Sequence, residues 1–227
     1  MMPVSSSTPD LVRMRLDYAA EELSAATLAA DWPTQFGRWL GEAVAAEVTE
    51  PNAMVLATAD AAGRPSARSV LLKGYDERGF VFFTNYGSRK GTELAANPYA
   101  SVVFPWYPLH RQVIAYGAVA RTSRAETEEY FATRPRGAQV GAWASAQSQL
   151  LADRADLAAE WTAMDERFPG DVPAPPHWGG FRLVPTSVEF WQGQRSRLHD
   201  RLRYRLAETN AGVETGEEGW IVERLNP

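Results

Sequence analysis

The chain has 227 residues, 45% hydrophobic and 22% charged, which is ordinary for a globular domain with one sizeable core. Its 23 Lys+Arg against 28 Asp+Glu give a net charge of −5, excluding a global basic field for nucleic acid, so clustered arginines must act locally. There is no Cys, which excludes disulfides, thiol nucleophiles and Cys-ligated metals and fits a reducing cytoplasm.

Residues 1–30 are polar and then Ala/Glu-rich, as expected of a mobile tail or lid with a short helix, ahead of a single domain over 31–227. The opening residues lack the basic and apolar regions of a secretory signal. No apolar run reaches membrane-spanning length, so a cytoplasmic protein is expected. Asp31 can cap a helix with Pro33 in its first turn, running to about Val48. Strand patterns follow at Ala53–Ala59, Ser66–Tyr75 and Phe80–Asn85, separated by turns at Asp60–Gly63 and Asp76–Gly79. Gly87–Lys90 opens a short helix to Ala96, and strands at Tyr99–Trp106 and Gln112–Arg121 complete a meander of about five. Ser123-Arg-Ala-Glu126 has capping-box spacing for a helix that Pro135 ends, and Asp153–Phe168 reads as another. A Pro-rich loop at 169–176 leads to strands at Gly180–Gln192, Arg197–Ala207 and Trp220–Leu225. Strands, then helices, then strands predict an α+β fold built on an antiparallel barrel or sheet.

Dinucleotide, Walker-type and nucleophile-elbow fingerprints are missing, and His110, His177 and His199 are too scattered for a metal site. The positive signals suit phosphate. From Arg195 every second residue is cationic or titratable: Arg195, Arg197, His199, Arg201, Arg203 and Arg205. On one strand they would share a face, which repels itself unless an anion or a set of carboxylates lies against it. A bound phosphate and a solvated basic strand edge both fit. Asn85–Lys90 offers helix-start N–H groups, Ser88 and two cations to a phosphate, although Ser88 as a plain N-cap fits as well. Arg68 and Lys73 stand five apart and face opposite sides of a regular strand, so they serve one site only if a bulge intervenes. Tyr130 and Arg134 share a helical face. Like charge around His199 disfavours its imidazolium.

These segments together resemble the pyridoxine/pyridoxamine 5′-phosphate oxidase family from about Arg15 to Pro227. The resemblance rests on Glu50-Pro-Asn-Ala-Met54, Arg68-Ser-Val-Leu-Leu-Lys73, Gly87-Ser-Arg-Lys90, Phe104-Pro-Trp106, Arg111-Gln112, Arg134-Pro-Arg136, Gly141-Ala-Trp143, Gln147-Ser148, Trp178-Gly-Gly180, Glu189–Gly193 and Arg197-Leu-His-Asp-Arg201, in that order. It implies an FMN-binding split barrel, working as a homodimer with FMN at the interface, that oxidises phosphorylated B6 vitamers with dioxygen. By the same resemblance Arg68, Lys73, Ser88, Arg89 and Lys90 would hold the FMN phosphate and ribityl end, and Ser69, Val70, Leu71 and Leu72 would also bind the cofactor. Phe83, Thr84, Gln112, Gln147, Ser148, Trp191 and Arg201 would complete the flavin site. Lys73, Tyr130, Arg134 and the position of Ala138 would meet the substrate phosphate. Arg197, Leu198 and His199 would stand at the substrate ring, Arg197 and His199 as the catalytic pair, and Arg15 and Tyr18 would belong to the lid. Three positions depart from the family pattern. Ala138 replaces a Ser, Phe83 replaces a Tyr, and Ala20-Glu-Glu-Leu23 replaces a Gly-containing turn. A split-barrel oxidase for another aromatic substrate, such as a phenazine precursor, and a non-catalytic flavin or pyridoxal-phosphate carrier are the alternatives.

Overall fold

The computed structural model describes residues 10–14, 17–18, 21–207 and 219–227. The predicted N-terminal helix appears there only as a 3₁₀ turn, Leu11–Arg13. Helix α1 (Trp32–Ala45) starts where Asp31 accepts from the Thr34 N–H at 2.7 Å. Trp32, Phe36, Trp39 and Ala43 recur at helical spacing and are buried. Their rings lie 4.8 Å (Trp32–Phe80), 4.9 Å (Phe36–Phe104) and 5.2 Å (Trp39–Phe190) from rings of the sheet. Burying each such side chain contributes roughly 1.5–3 kcal/mol, so this helix anchors one face of the sheet.

The strands are β1 (Ala53–Ala59), β2 (Pro65–Leu71), β3 (Gly74–Asp76), β4 (Gly79–Asn85), β5 (Tyr99–Trp106), β6 (Arg111–Arg121), β7 (Trp178–Gln192), β8 (Asp200–Leu206) and β9 (Trp220–Arg224). Helix α2 (Arg89–Ala96) follows β4, and α3 (Arg124–Ala132), α4 (Arg136–Ala144) and α5 (Arg154–Arg167) lie between β6 and β7. The strands form one antiparallel sheet in the order β2-β1-β5-β6-β7-β4-β3, with β8 and β9 added alongside β7. The sheet is split along β7. One edge of β7 pairs with β6 throughout, while the other pairs with β4 over 178–183 and with β8 over 187–192. The change of partner coincides with a bulge at Tyr116/Gly117 opposite Pro185. There a Cβ on Gly117 would sit 1.9 Å from the Val184 carbonyl oxygen, so the close approach requires glycine. The product is a curled half-barrel with helices on its flanks, as expected from the strand order.

Four expectations need correction. The first five strand segments do not run as a meander, because β1 pairs with β5 while β4 pairs with β7 and β3. The single strand expected over Ser66–Tyr75 is two strands. Leu72 N–H donates to Asn52 and Lys73 N–H to Val81, so the chain leaves β1 and joins β4 at this step. Helix α4 was not foreseen; Pro135 ends α3 but is itself the N-cap of α4. The strand expected from Arg197 starts at Asp200, because Arg195–Arg197 form a 3₁₀ turn in which Ser196 and Arg197 adopt φ of 54° and 62°. The alternation of cations therefore shares a face only at Arg201, Arg203 and Arg205.

Candidate active site

A cavity of about 820 Å³ opens between the ends of β2 and β4, the end of α3, and α4. Its wall is aromatic: Tyr130 stacks on Phe83 at 4.1 Å and Phe83 on Trp178 at 5.4 Å, with ring planes 22° and 13° apart. Gly180 makes room for that stack, since a Cβ there would lie 2.8 Å from the Phe83 ring. Behind the wall Phe131, Val140, Val172, Ala174 and Trp178 form a second, smaller core.

Three cations line the cavity. Lys73 is exposed at the β2–β3 crossing, with its Nζ 6.0 Å from the Tyr130 ring centre. Lys90 is buried; its Nζ donates to Thr84 Oγ1 at 3.2 Å and to Gln147 Oε1 at 3.1 Å. Burial, and then the charge of Arg68, push the Lys90 pKa down. Arg134 follows α3 and lays its guanidinium 4.6 Å over Trp178 and 5.3 Å from Phe131. Burial pushes its pKa down too. Arg134 Nη1 is buried with no hydrogen-bond partner, alone in this among the side-chain atoms of the described residues. A buried donor left unpaired costs about 1–3 kcal/mol and more when charged, so this atom calls for an anion. Ser69–Leu71 also line the cavity, and β2 is an edge strand whose outer backbone groups face no neighbouring strand.

Beside the cavity, α2 carries a separate polar cluster. Ser88 caps the helix, accepting from Gly91 N–H at 3.3 Å and donating to the Asn85 carbonyl at 2.7 Å. Glu93 is buried and accepts from Thr58, from Ser66 at 2.6 Å, from Arg89 at 2.8 Å and from Arg68 at 3.3 Å. Burial opposes its ionisation, but the hydrogen bonds from Ser66, Thr58 and Arg89 prevail and bring its pKa to about 2. Arg68 on β2 thus belongs to this cluster, while Lys73, beyond the end of β2, lines the cavity.

A third group gathers at the far end of β7. Gln112, Trp191 and Arg201 face one another across β6, β7 and β8, so they share a side of the sheet. The His199 ring lies 4.6 Å from Trp191 and 5.8 Å from Tyr18, and Tyr18 lies 4.5 Å from His110. His199 Nδ1 accepts from the Gln194 N–H at 3.0 Å; burial and then Arg197 lower its pKa. Arg201 is held by both oxygens of Glu189 at 2.7 and 3.0 Å, while Arg203 and Arg205 share Glu223. The carboxylates that the alternating pattern required are therefore supplied by the strands on either side of β8, Glu189 by β7 and Glu223 by β9.

The expected site residues thus divide. Ser69, Val70, Leu71, Lys73, Phe83, Thr84, Lys90, Tyr130, Arg134, Ala138 and Gln147 line the cavity. Arg68, Ser88 and Arg89 belong to the α2 cluster, Leu72 is buried in the core, and Ser148 follows Gln147 in a left-handed conformation (φ 72°). Tyr18, Gln112, Trp191, His199 and Arg201 form the third group, with the exposed Arg197 and Leu198 in its turn, and Arg15 lies outside the described residues. Asn85, from the candidate segment Asn85–Lys90, also lines the cavity, as do Thr133, Pro135, Gly141, Ala142, Ser145 and Trp178, to which the sequence assigns no site role. For Trp178 the signal was available, because an aromatic beside Gly-Gly at a strand start leaves space for a flat partner.

Residues 40–168 match the sequence profile of the pyridoxamine 5′-phosphate oxidase family, and residues 178–227 match that of the pyridoxine 5′-phosphate oxidase C-terminal dimerisation region. A pyridoxine/pyridoxamine 5′-phosphate oxidase of Salinispora arenicola is 61% identical over the whole of both chains. One of Frankia alni is 56% identical, covering 96% of this chain and 90% of its own. Among solved structures, PhzG from Burkholderia lata 383 in complex with tetrahydrophenazine-1-carboxylic acid superposes with a TM-score of 0.81 at 32% identity, covering 92% of this chain and 99% of its own. An FMN-binding protein of Nostoc punctiforme related to pyridoxamine 5′-phosphate oxidase shares the fold, at 17% identity and a TM-score of 0.67 over 88% of this chain and 99% of its own.

Proposed function

This chain belongs to the pyridoxine/pyridoxamine 5′-phosphate oxidase family of oxidoreductases, and from that premise we propose that it binds FMN and oxidises pyridoxine 5′-phosphate and pyridoxamine 5′-phosphate to pyridoxal 5′-phosphate. Pyridoxine 5′-phosphate and dioxygen would give pyridoxal 5′-phosphate and hydrogen peroxide. Pyridoxamine 5′-phosphate would in addition consume water and release ammonia. FMN, when bound, supplies the acceptor for the hydride leaving C4′ and the route by which dioxygen takes up the electrons.

The observation that carries this reading is the unpaired, buried Arg134 Nη1 in a cavity it shares with Lys73 and Lys90. A phosphate ester brings the acceptor oxygens that a guanidinium fork matches in pairs. Arg134, Lys73 and the Tyr130 hydroxyl would hold the substrate phosphate, while the Tyr130–Phe83–Trp178 stack excludes water around it. The cavity also suits FMN. Backbone groups of Ser69–Leu71 on the edge strand offer donors and acceptors to the rim of a flat heteroaromatic, and the buried Lys90 and Thr84, with the exposed Gln147, offer a polar corner.

Arg197 and His199 do not line this cavity. They fall within the region matching the dimerisation profile, which supports a homodimer in which a second copy brings them to the substrate ring. There His199 and Arg197 would orient the ring and stabilise charge that develops as hydride departs. The left-handed backbone at Ser196 and Arg197 is the kind of local strain that collects at functional turns.

The likeness to PhzG favours one other reading, oxidation of a phenazine precursor, whose carboxylate would also satisfy Arg134. Peroxide release from the purified, FMN-loaded protein tests both readings. Turnover of either phosphorylated vitamer supports the first. FMN binding with turnover of a dihydrophenazine carboxylate and of neither vitamer would replace it with the second.

A further inference from the structure

Asp200 is nine-tenths buried, yet neither the cavity nor the reaction uses it. Its Oδ2 accepts from Leu23 N–H at 3.0 Å and from Gln194 Nε2 at 2.9 Å, and its Oδ1 accepts from Arg224 at 2.6 Å. The same two donors reach the N-terminal segment again: Gln194 Nε2 donates to the Glu21 carbonyl at 3.0 Å and Arg224 Nη2 to the Leu23 carbonyl at 2.9 Å. Segment 21–23 is thus held at both backbone polarities by three side chains. Gln194 also ties this clasp to His199, since its own N–H donates to Nδ1. A backbone N–H can only donate, so that nitrogen must carry a lone pair, and the ring proton sits on Nε2. Protonating Nδ1 would break the bond.

We propose that Asp200 and Gln194 are positioning residues that fix His199 as the neutral Nε2–H tautomer by locking the 193–200 turn to the N-terminal segment. The proposal rests on the reading of His199 as a ring-facing residue and sharpens its role. With Nδ1 occupied, His199 meets a substrate only as a hydrogen-bond donor and cannot serve as a general base. The groups around it agree. Arg197 disfavours a second positive charge, the Tyr18 and Trp191 rings supply no acceptor to Nδ1, and the neighbouring Asp200 carboxylate is occupied by Leu23, Gln194 and Arg224.

The test is ¹⁵N NMR of histidine-labelled protein, wild type against Asp200→Asn and Gln194→Leu, with amide exchange at Leu23. The chain's three histidines keep assignment simple. The expected wild-type signal is the Nε2–H tautomer of His199, neutral at pH 7. In both variants Leu23 should exchange at least tenfold faster, and His199 should become a tautomer mixture titrating closer to its ordinary value. KM for pyridoxamine 5′-phosphate should rise severalfold more than kcat falls. Wild-type His199 protonated on Nδ1 overturns the proposal, whether or not the variants fold. So do variants that lose Leu23 protection while His199 keeps its tautomer and titration, since the clasp would then be only structural. A wild-type enzyme that shows the expected tautomer but oxidises neither vitamer refutes the functional reading and leaves the clasp standing.

Discussion

On β8, Arg201 lies against both oxygens of Glu189 and Arg203 and Arg205 share Glu223, so each of the three is ion-paired within the fold. At the end of α3, Arg134 rests on two aromatic faces with one nitrogen buried and unpaired. The first region is the richer in arginine, and in the sequence it is the more conspicuous. Among the described residues, only the second has a buried side-chain nitrogen left without a partner. Cation density says where charge has been placed; a binding site is where the placed charge is not balanced by the protein itself.

Substituting the two arginines should break the molecule in opposite ways. Arg134→Met removes the unpaired donor and is expected to lower kcat/KM for a phosphorylated vitamer roughly 100-fold, from the loss of about 1.5–3 kcal/mol per charged hydrogen bond. Thermal stability should hold or rise, because an uncompensated buried charge is gone. Arg201→Met leaves Glu189 buried without its partner and should cost about 2–3 kcal/mol, lowering Tm by roughly 5 °C or more. Paired kinetics and calorimetry on the two variants check both signs; equal loss of stability in both would erase the distinction.

Glu93 offers a milder contrast, a carboxylate matched so well that its pKa falls to about 2. Its folded-state pKa lies below the ordinary 4.5, so it stabilises the fold above about pH 4.5 and loses that contribution as pH falls toward 2. In Glu93→Gln, acid unfolding monitored by fluorescence should show a shallower decline across that window, from a neutral-pH stability about 1–3 kcal/mol lower. The smallest expected effect is at the rim of the cavity. Ala138→Ser restores a hydroxyl and should lower KM for the phosphorylated substrate about fivefold, equivalent to about 1 kcal/mol.

The succession of strands, helices and strands and the Asp31 and Ser123 caps were legible because each depends on local spacing, whereas the pairing of β4 with β7 in place of a meander, and the end of α3 before Arg134, depend on distant contacts. Helix α4 was hidden because Pro135 both stops one helix and starts the next, and only the Arg136 contacts to Asp165 and the 168 and 170 carbonyls show why the chain resumes at once. The break at Leu72–Lys73 is a change of hydrogen-bonding partner, which leaves no mark on hydrophobic periodicity. For the Arg195–Arg205 run the period of two was real, but Ser196 and Arg197 take left-handed backbone and divide it. Which cations were already balanced could not be read at all, since Glu189 and Glu223 meet β8 only through pairing across strands.

The most direct measurement compares peroxide release by the FMN-loaded protein from pyridoxamine 5′-phosphate and from pyridoxamine. An unbalanced Arg134 beside Lys73 and Lys90 predicts that removing the phosphate lowers kcat/KM by about a thousandfold or more, from two or three lost charged contacts. Equal kcat/KM for the two compounds would contradict it.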